Sequence, residues 1–296
     1  MLRLDLVIAL VVTAQAAPGV HLRFNTVGNH TQFHIGEAIP VTLDFEVEGA
    51  QSLQVDTDIR LRGIKPQGLE VFSAIPADGW WNPLARLSWI SDGAYYNRPF
   101  ATLDKLHPFH IERDLNEFIV FRKPGHYIIR VESTRVATQP ANEIALDIMP
   151  RDDAWTKREF ERAKAILDAG KPPEGGDRQF DDAKDNAQID AVRQLRYLAT
   201  AEATDYLASI CGQERRSESE IDVALYASPY LEIAATRLEQ RMLDHGIGMG
   251  ETNRDVLFEL KRLIWEERIG RPLLRGELDE LDGSLNRELA GSTPKK

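Results

Sequence analysis

The chain has 296 residues, enough for about two domains at roughly 150 residues each, and its 43% hydrophobic and 28% charged residues are those of an ordinary globular protein. Its formal charge of −11 is spread over both halves, with 23 basic against 30 acidic residues from Arg151 onward. A clustered Lys/Arg surface tracking nucleic-acid phosphates is therefore not expected, and a single cysteine, Cys211, excludes an internal disulfide or a zinc site built on several cysteines.

The chain opens MLRLDLVIALVVTAQAAPG. Arg3 gives a positive start, Leu6 to Val12 is unbroken hydrocarbon, and Ala14-Gln15-Ala16 offers small residues of the kind a signal peptidase accepts. Residues 1–16 thus read as a cleaved secretory signal, although Asp5 is unusual there and a buried strand is the alternative. The apolar run is far below the ~20 residues that cross a bilayer. Stability outside the cytoplasm must come from core burial rather than cross-links.

Strand patterns follow. In IPVTLDFEV, Ile39, Val41, Leu43, Phe45 and Val47 alternate with Thr42, Asp44 and Glu46, which predicts a half-buried strand with its acids in water. LQVDTDIRL repeats the pattern with Leu53, Val55, Ile59 and Leu61. Next comes DGWWNPLARLSWISDGAYYNRPF, a long connection crowded with Trp80, Trp81, Trp89, Tyr95, Tyr96 and Phe100. Exposed rings of this kind stack on sugars or anchor protein interfaces, because each buries a large area and keeps a polar edge. They also suit a small core of the connection's own, since a large apolar patch in water favours aggregation. Both readings stay open. Trp80, Trp81, Trp89, Tyr95 and Tyr96 are the candidate ligand-binding residues.

HPFH places His107 and His110 close together, with Glu112 beyond and His126 further on. Three imidazoles and a carboxylate have the chemistry of a zinc or copper site, but Pro108 interrupts the local geometry and surface histidines are the plainer reading. In FRKPGHYIIRV, Pro124-Gly125 predicts a turn and Tyr127, Ile129 and Val131 an inward-facing strand, with FIVF before the turn as its hairpin partner. EIALDIM adds Ile144, Leu146 and Ile148. Short strands at this spacing, with no helices between them, argue for an antiparallel β-sandwich.

IGEAIPVTLDF, DLNEFIVFRKPGHYIIRVESTRV and NEIALDIMPRDDAW together resemble the immunoglobulin-like sandwich of exported bacterial proteins of uncharacterised role, in which a helical HEAT-like domain follows. The resemblance covers about Val20 to Pro150. The Cys–Trp–Cys pattern of antibody domains is missing, so only a general immunoglobulin-like fold is implied, and such a fold carries no reaction of its own.

Beyond Pro150 the period lengthens. DDAWTKREFERAKAILDAG has acids in its first turn, Trp155, Phe160, Ala163 and Leu167 along one face, and Gly170 as a stop. KPPEGGDRQFDDAKD reads as a linker. Ile189, Val192 and Leu195 mark a helix; Thr200 caps another that carries Tyr206, Leu207 and Ile210 and stops at Gly212. Cys211 reads as a small buried hydrophobe at the end of that helix rather than a nucleophile. Ser228-Pro229 opens a helix lined by Leu231, Ala234, Leu238 and Met242. TNRDVLFELKRLIWEERIG and a stripe of Leu278, Leu281, Leu285 and Leu289 complete the series. Helical pairs starting near Ala187, Ser219 and Thr252 recur at a spacing found in stacked helical repeats, and LRYLATAEATDYLASI resembles a HEAT repeat. An irregular orthogonal bundle fits equally well.

No nucleophile elbow, zinc-protease helix, phosphate-binding loop or calcium loop is present. GIGMGETN, Gly246 to Asn253, reads as an interhelical loop, because a helix rather than a strand precedes it. The sequence therefore predicts a multidomain protein: a signal at 1–16, an immunoglobulin-like β-sandwich at 18–150, and an α-helical domain at 151–296. The functional expectation is a non-enzymatic, exported binding or scaffold protein of the cell envelope, periplasmic or extracellular. It would have no cofactor, no catalytic residues and no transmembrane segment in the mature chain. A protein is the expected partner and nucleic acid is not. A carbohydrate-binding protein using Trp80–Tyr96 is the alternative, and a hydrolase drawing on acids such as Glu112 or those of FDDAKD is a third reading.

Overall fold

The structure, a computed structural model, describes residues 19–49, 51–57, 69–87, 99–169, 182–213, 218–245 and 250–291. The expected export signal and the aromatic residues Trp89, Tyr95 and Tyr96 lie outside these. Among the described residues all strands precede all α-helices, with short 3-10 turns between some of the strands. The strands are β1 (Val20–Thr26), β2 (Gln32–His34), β3 (Pro40–Val47), β4 (Leu53–Asp56), β5 (Glu70–Ile75), β6 (Trp80–Trp81), β7 (Phe100–Leu103), β8 (Phe109–Asp114), β9 (Val120–Phe121), β10 (Gly125–Ser133) and β11 (Ala141–Met149). The helices are α1 (Asp153–Ala169), α2 (Asp182–Leu198), α3 (Ala201–Ile210), α4 (Glu218–Tyr226), α5 (Leu231–His245), α6 (Gly250–Ile269) and α7 (Arg275–Gly291).

Alternation fixes the β half. Val41, Leu43, Phe45 and Val47 of β3 are buried, while Thr42, Asp44 and Glu46 point outward, as the period of two requires. β3 lies between β1 and β8, antiparallel to both, with Leu43 opposite Phe24 and Ile111. A second sheet runs β2-β11-β10-β5; β2 joins it parallel to β11, and the other pairs are antiparallel. Inward residues of both sheets share one core: Phe24 of β1 meets Phe72 of β5 edge-on at 5.8 Å, and Phe72 stacks on Phe118 at 4.5 Å. Two short ribbons, β4–β7 and β6–β9, complete this half.

One pairing departs from expectation. FIVF does not form a hairpin with the strand after Pro124-Gly125; its Val120-Phe121 pairs with Trp81-Trp80, and β10 pairs with β11 and β5. The physical reason lies in the corner between them. The amides of Arg122 and Lys123 both donate to Gly79 O, and the Tyr127 hydroxyl donates to Lys123 O at 2.9 Å. These bonds send the chain from one layer to the other instead of folding it back on itself. Gly79 is required, because a Cβ there would fall 1.8 Å from the Tyr127 oxygen.

In the helical half, faces spaced at three and four bury one continuous core, including Phe160, Leu167, Val192, Leu207, Leu238 and Leu260. α1 packs on α2, α3 on α5 and α5 on α6. Thr200 caps α3 by accepting the Ala203 amide at 3.1 Å, as its sequence position predicts. At the other end Gly212 adopts φ +70°, and a Cβ there would overlap the Asn253 amide at 2.1 Å. The charged stretch read as linker ends sooner than expected, since α2 already begins at Asp182.

The two halves meet through polar contacts. Arg151 donates to Leu198 O at 2.6 Å, and the Tyr197 hydroxyl to Asp114 at 3.1 Å. Glu117 is buried at 5% exposure; burial pushes its carboxyl up against the pull of Arg196, Arg113 and Arg193.

Candidate binding surfaces

Trp80 is structural in its setting. Its indole N–H donates to Ala74 O at 2.8 Å and its ring packs on the core of the β half. Trp81, also partly buried, carries the Arg122 guanidinium 5.0 Å from its ring centre, a cation–π contact that occupies one face. Trp80 and Trp81 are thus half-buried with partners of their own, while Phe100 at the far end of the connection is exposed.

The three histidines separate. His107 turns back to Asp104 at 2.9 Å, His110 on β8 meets Asp44 at 2.6 Å, and His126 on β10 meets Asp147 at 2.8 Å. His110 and His126 stand on different sheets, and among the described residues the three do not form a group that converges on an ion. Glu112 is exposed beside His110.

Two concave surfaces do stand out. One, of roughly 980 Å³, lies at an end of the β half between the end of β3 and the β7–β8 turn, lined by Val47, Glu48, Asp104, Leu106 and Pro108. Its acids are largely taken up locally: Glu48 pairs with His21 at 3.1 Å, and Asp104 accepts the amides of Leu106 and His107.

The other lies between α5 and α6 and holds roughly 370 Å³, a volume in the range of ligand clefts. Its floor is apolar: Ala235 is buried, and Ile264 and Trp265 are half-buried. Ion pairs cross it from helix to helix. Arg268 donates to Glu232 at 2.7 Å, and Lys261 to Glu239 at 3.3 Å, with Glu288 of α7 also on Lys261 at 2.6 Å. Burial pulls the Lys261 ammonium down, but Glu288 and Glu239 outweigh it and hold it above its ordinary value, so the rim stays charged. An indole half in water beside a charged rim is the composition of an interface anchor. The helical pattern of TNRDVLFELKRLIWEERIG includes Trp265 but by itself assigns it no role. Its signal was an aromatic beside charged residues, in WEER.

Cys211 is fully buried, and burial pushes its thiol far up, which makes it a poor nucleophile. No helix among the described residues is long and apolar enough to cross a membrane. No protein-family model matches the chain, and no curated protein shows significant similarity to it.

Proposed function

We propose that the chain is a non-enzymatic, exported binding protein of the cell envelope, in which an immunoglobulin-like sandwich carries a HEAT-like helical unit that engages a protein partner. The α5–α6 groove carries this reading: an apolar floor of Ala235, Ile264 and Trp265 crossed by paired charges suits an inserted apolar side chain flanked by polar backbone. Support for the immunoglobulin-like assignment comes from β2 running parallel to β11 at a sheet edge, and from Tyr127 bonding back four residues to Lys123 O at the start of β10. Support for the repeat reading comes from successive helices that share one core. The carbohydrate reading rests, among the described candidate residues, on Trp80 and Trp81.

The test is site-specific photo-cross-linking in the native envelope. A cross-linker at exposed Thr236, on the groove rim, should capture a defined protein, and one at exposed Arg130 of β10 should not. Trp265→Ala should abolish the Thr236 product while lowering the melting temperature only slightly, because that indole is half in water. Equal capture from both positions, or capture that survives Trp265→Ala, refutes the groove as the binding surface.

A further inference from the structure

Cys211 ends α3 fully buried, and α4 brings Glu218 and Asp222 against it from positions four apart on one helical face. The thiol sulfur and one oxygen from each carboxylate all lie within 4.8 Å of one another. The sulfur is 3.8 Å from Asp222 Oδ1. Glu218 Oε1 accepts the Gly212 amide, but its Oε2 is fully covered and receives no hydrogen bond. The guanidinium that faces the thiol, Arg241, is already committed to the carbonyls of Ala208 and Cys211 at 2.8 and 2.9 Å. Among the described residues, the groups that act on Tyr226 of α4 add Asp255 and Glu259 of α6, neither of them a cation. A covered carboxylate oxygen without a donor, beside a second carboxylate and a sulfur, is a donor set short of positive charge.

We propose that Cys211, Glu218 and Asp222 hold a zinc-class divalent cation that clamps the end of α3 to the start of α4. The thiolate selects zinc over calcium or magnesium, which prefer oxygen alone. Three protein ligands leave a fourth position for water, and binding releases the thiol proton to solvent. The expected role is structural, closing the short connection between the two helices on which α5 and α6 then pack.

Chelator-treated full-length protein tests this with Co²⁺ and Zn²⁺ as probes. One equivalent of Co²⁺ should produce a thiolate-to-cobalt charge-transfer band that Zn²⁺ removes, and Zn²⁺ should raise the melting temperature by several degrees. Cys211→Ser should abolish the band. Asp222→Asn, which keeps side-chain shape and folds even if the serine variant does not, should weaken Zn²⁺ binding at least tenfold. Three results overturn the proposal: no stoichiometric binding, binding without a sulfur band, or affinity unchanged in both variants as expected for scattered surface carboxylates and histidines.

Discussion

Arg135 and Glu70 form an ion pair with side chains only 1% and 2% exposed, and replacing Arg135 by Met should cost the β half much of its stability. The guanidinium grips the carboxylate with two nitrogens, NH2 to Oε2 at 3.0 Å, and also donates to Asp56 O at 2.7 Å. One side chain thereby ties the end of β4 to β5 and to the segment after β10. Methionine keeps most of the apolar stem and removes the fork. It leaves the Glu70 carboxylate buried with Ser133 as its remaining donor, at 3.3 Å. A buried charge stripped of its partner costs about 3–5 kcal/mol.

Urea unfolding followed by fluorescence measures the effect. With Trp155 and Trp265 replaced by Phe, every remaining tryptophan precedes Pro150 and reports the β half. At an m-value of about 1.5–2 kcal/mol/M, a loss of about 4 kcal/mol lowers the midpoint by about 2 M. The pair is worth far less against an apolar replacement, so Arg135→Met with Glu70→Leu should recover to within about 2 kcal/mol of the parent, the remainder being the lost guanidinium donation to Asp56 O. A shift below about 0.5 M for the single variant, or a double variant as weak as the two singles summed, would show that the pair is not what holds these strands together.

Two further outcomes follow from local geometry. Gly79→Ala places a methyl 1.8 Å from the Tyr127 oxygen and 2.7 Å from the ring carbon bearing it; it should destabilise the β half by about 3 kcal/mol, and Tyr127→Phe in the same chain should recover part of the loss in urea titrations. The Asp44 hydrogen bond, with Glu112 assisting, holds the His110 imidazole above its ordinary value. Protonated His110 therefore favours the folded chain at pH below the ordinary histidine value, and that contribution disappears as pH rises through the raised one. Asp44→Asn should move the NMR titration midpoint of His110 downward; an unmoved midpoint would remove Asp44 as the cause.

Features set within one element were legible in the sequence. The alternation around Leu43 specifies which face of β3 is buried, and Thr200 declares the start of α3, because each depends on neighbours within a few residues. Partners across the fold were not. FIVF reads as a strand, but nothing within it says that Trp80-Trp81 competes successfully for its edge, an outcome decided by the bonds of Arg122 and Lys123 to Gly79 O. The groove needs Ala235 and Ile264 brought together from separate helices, which their individual periodicities leave undetermined. The burial of Cys211 follows from its place at the apolar end of a helix, whereas the proximity of its two carboxylate neighbours does not. Glu218 and Asp222 share a helical face four residues apart, but only the α3–α4 connection decides that this face meets the sulfur.

The joint between the halves bears on how such a groove is presented. An apolar seam tolerates sliding, because dispersion contacts are nearly indifferent to register. Here Glu117 is buried amid Arg113, Arg193 and Arg196, Tyr197 reaches Asp114, and Arg151 closes on Leu198 O, while Gly36, at φ +93°, lets the backbone approach to within 3.4 Å of Leu198 from where a Cβ would stand. Rotating one half against the other would strand each of these charges in a poorly solvated seam, at a cost of several kcal/mol per ion. Contacts of this sort add little net stability yet penalise every other register. The contacts therefore favour one orientation of the helices on the strands, through arginines more than 60 residues away from Trp265 in sequence.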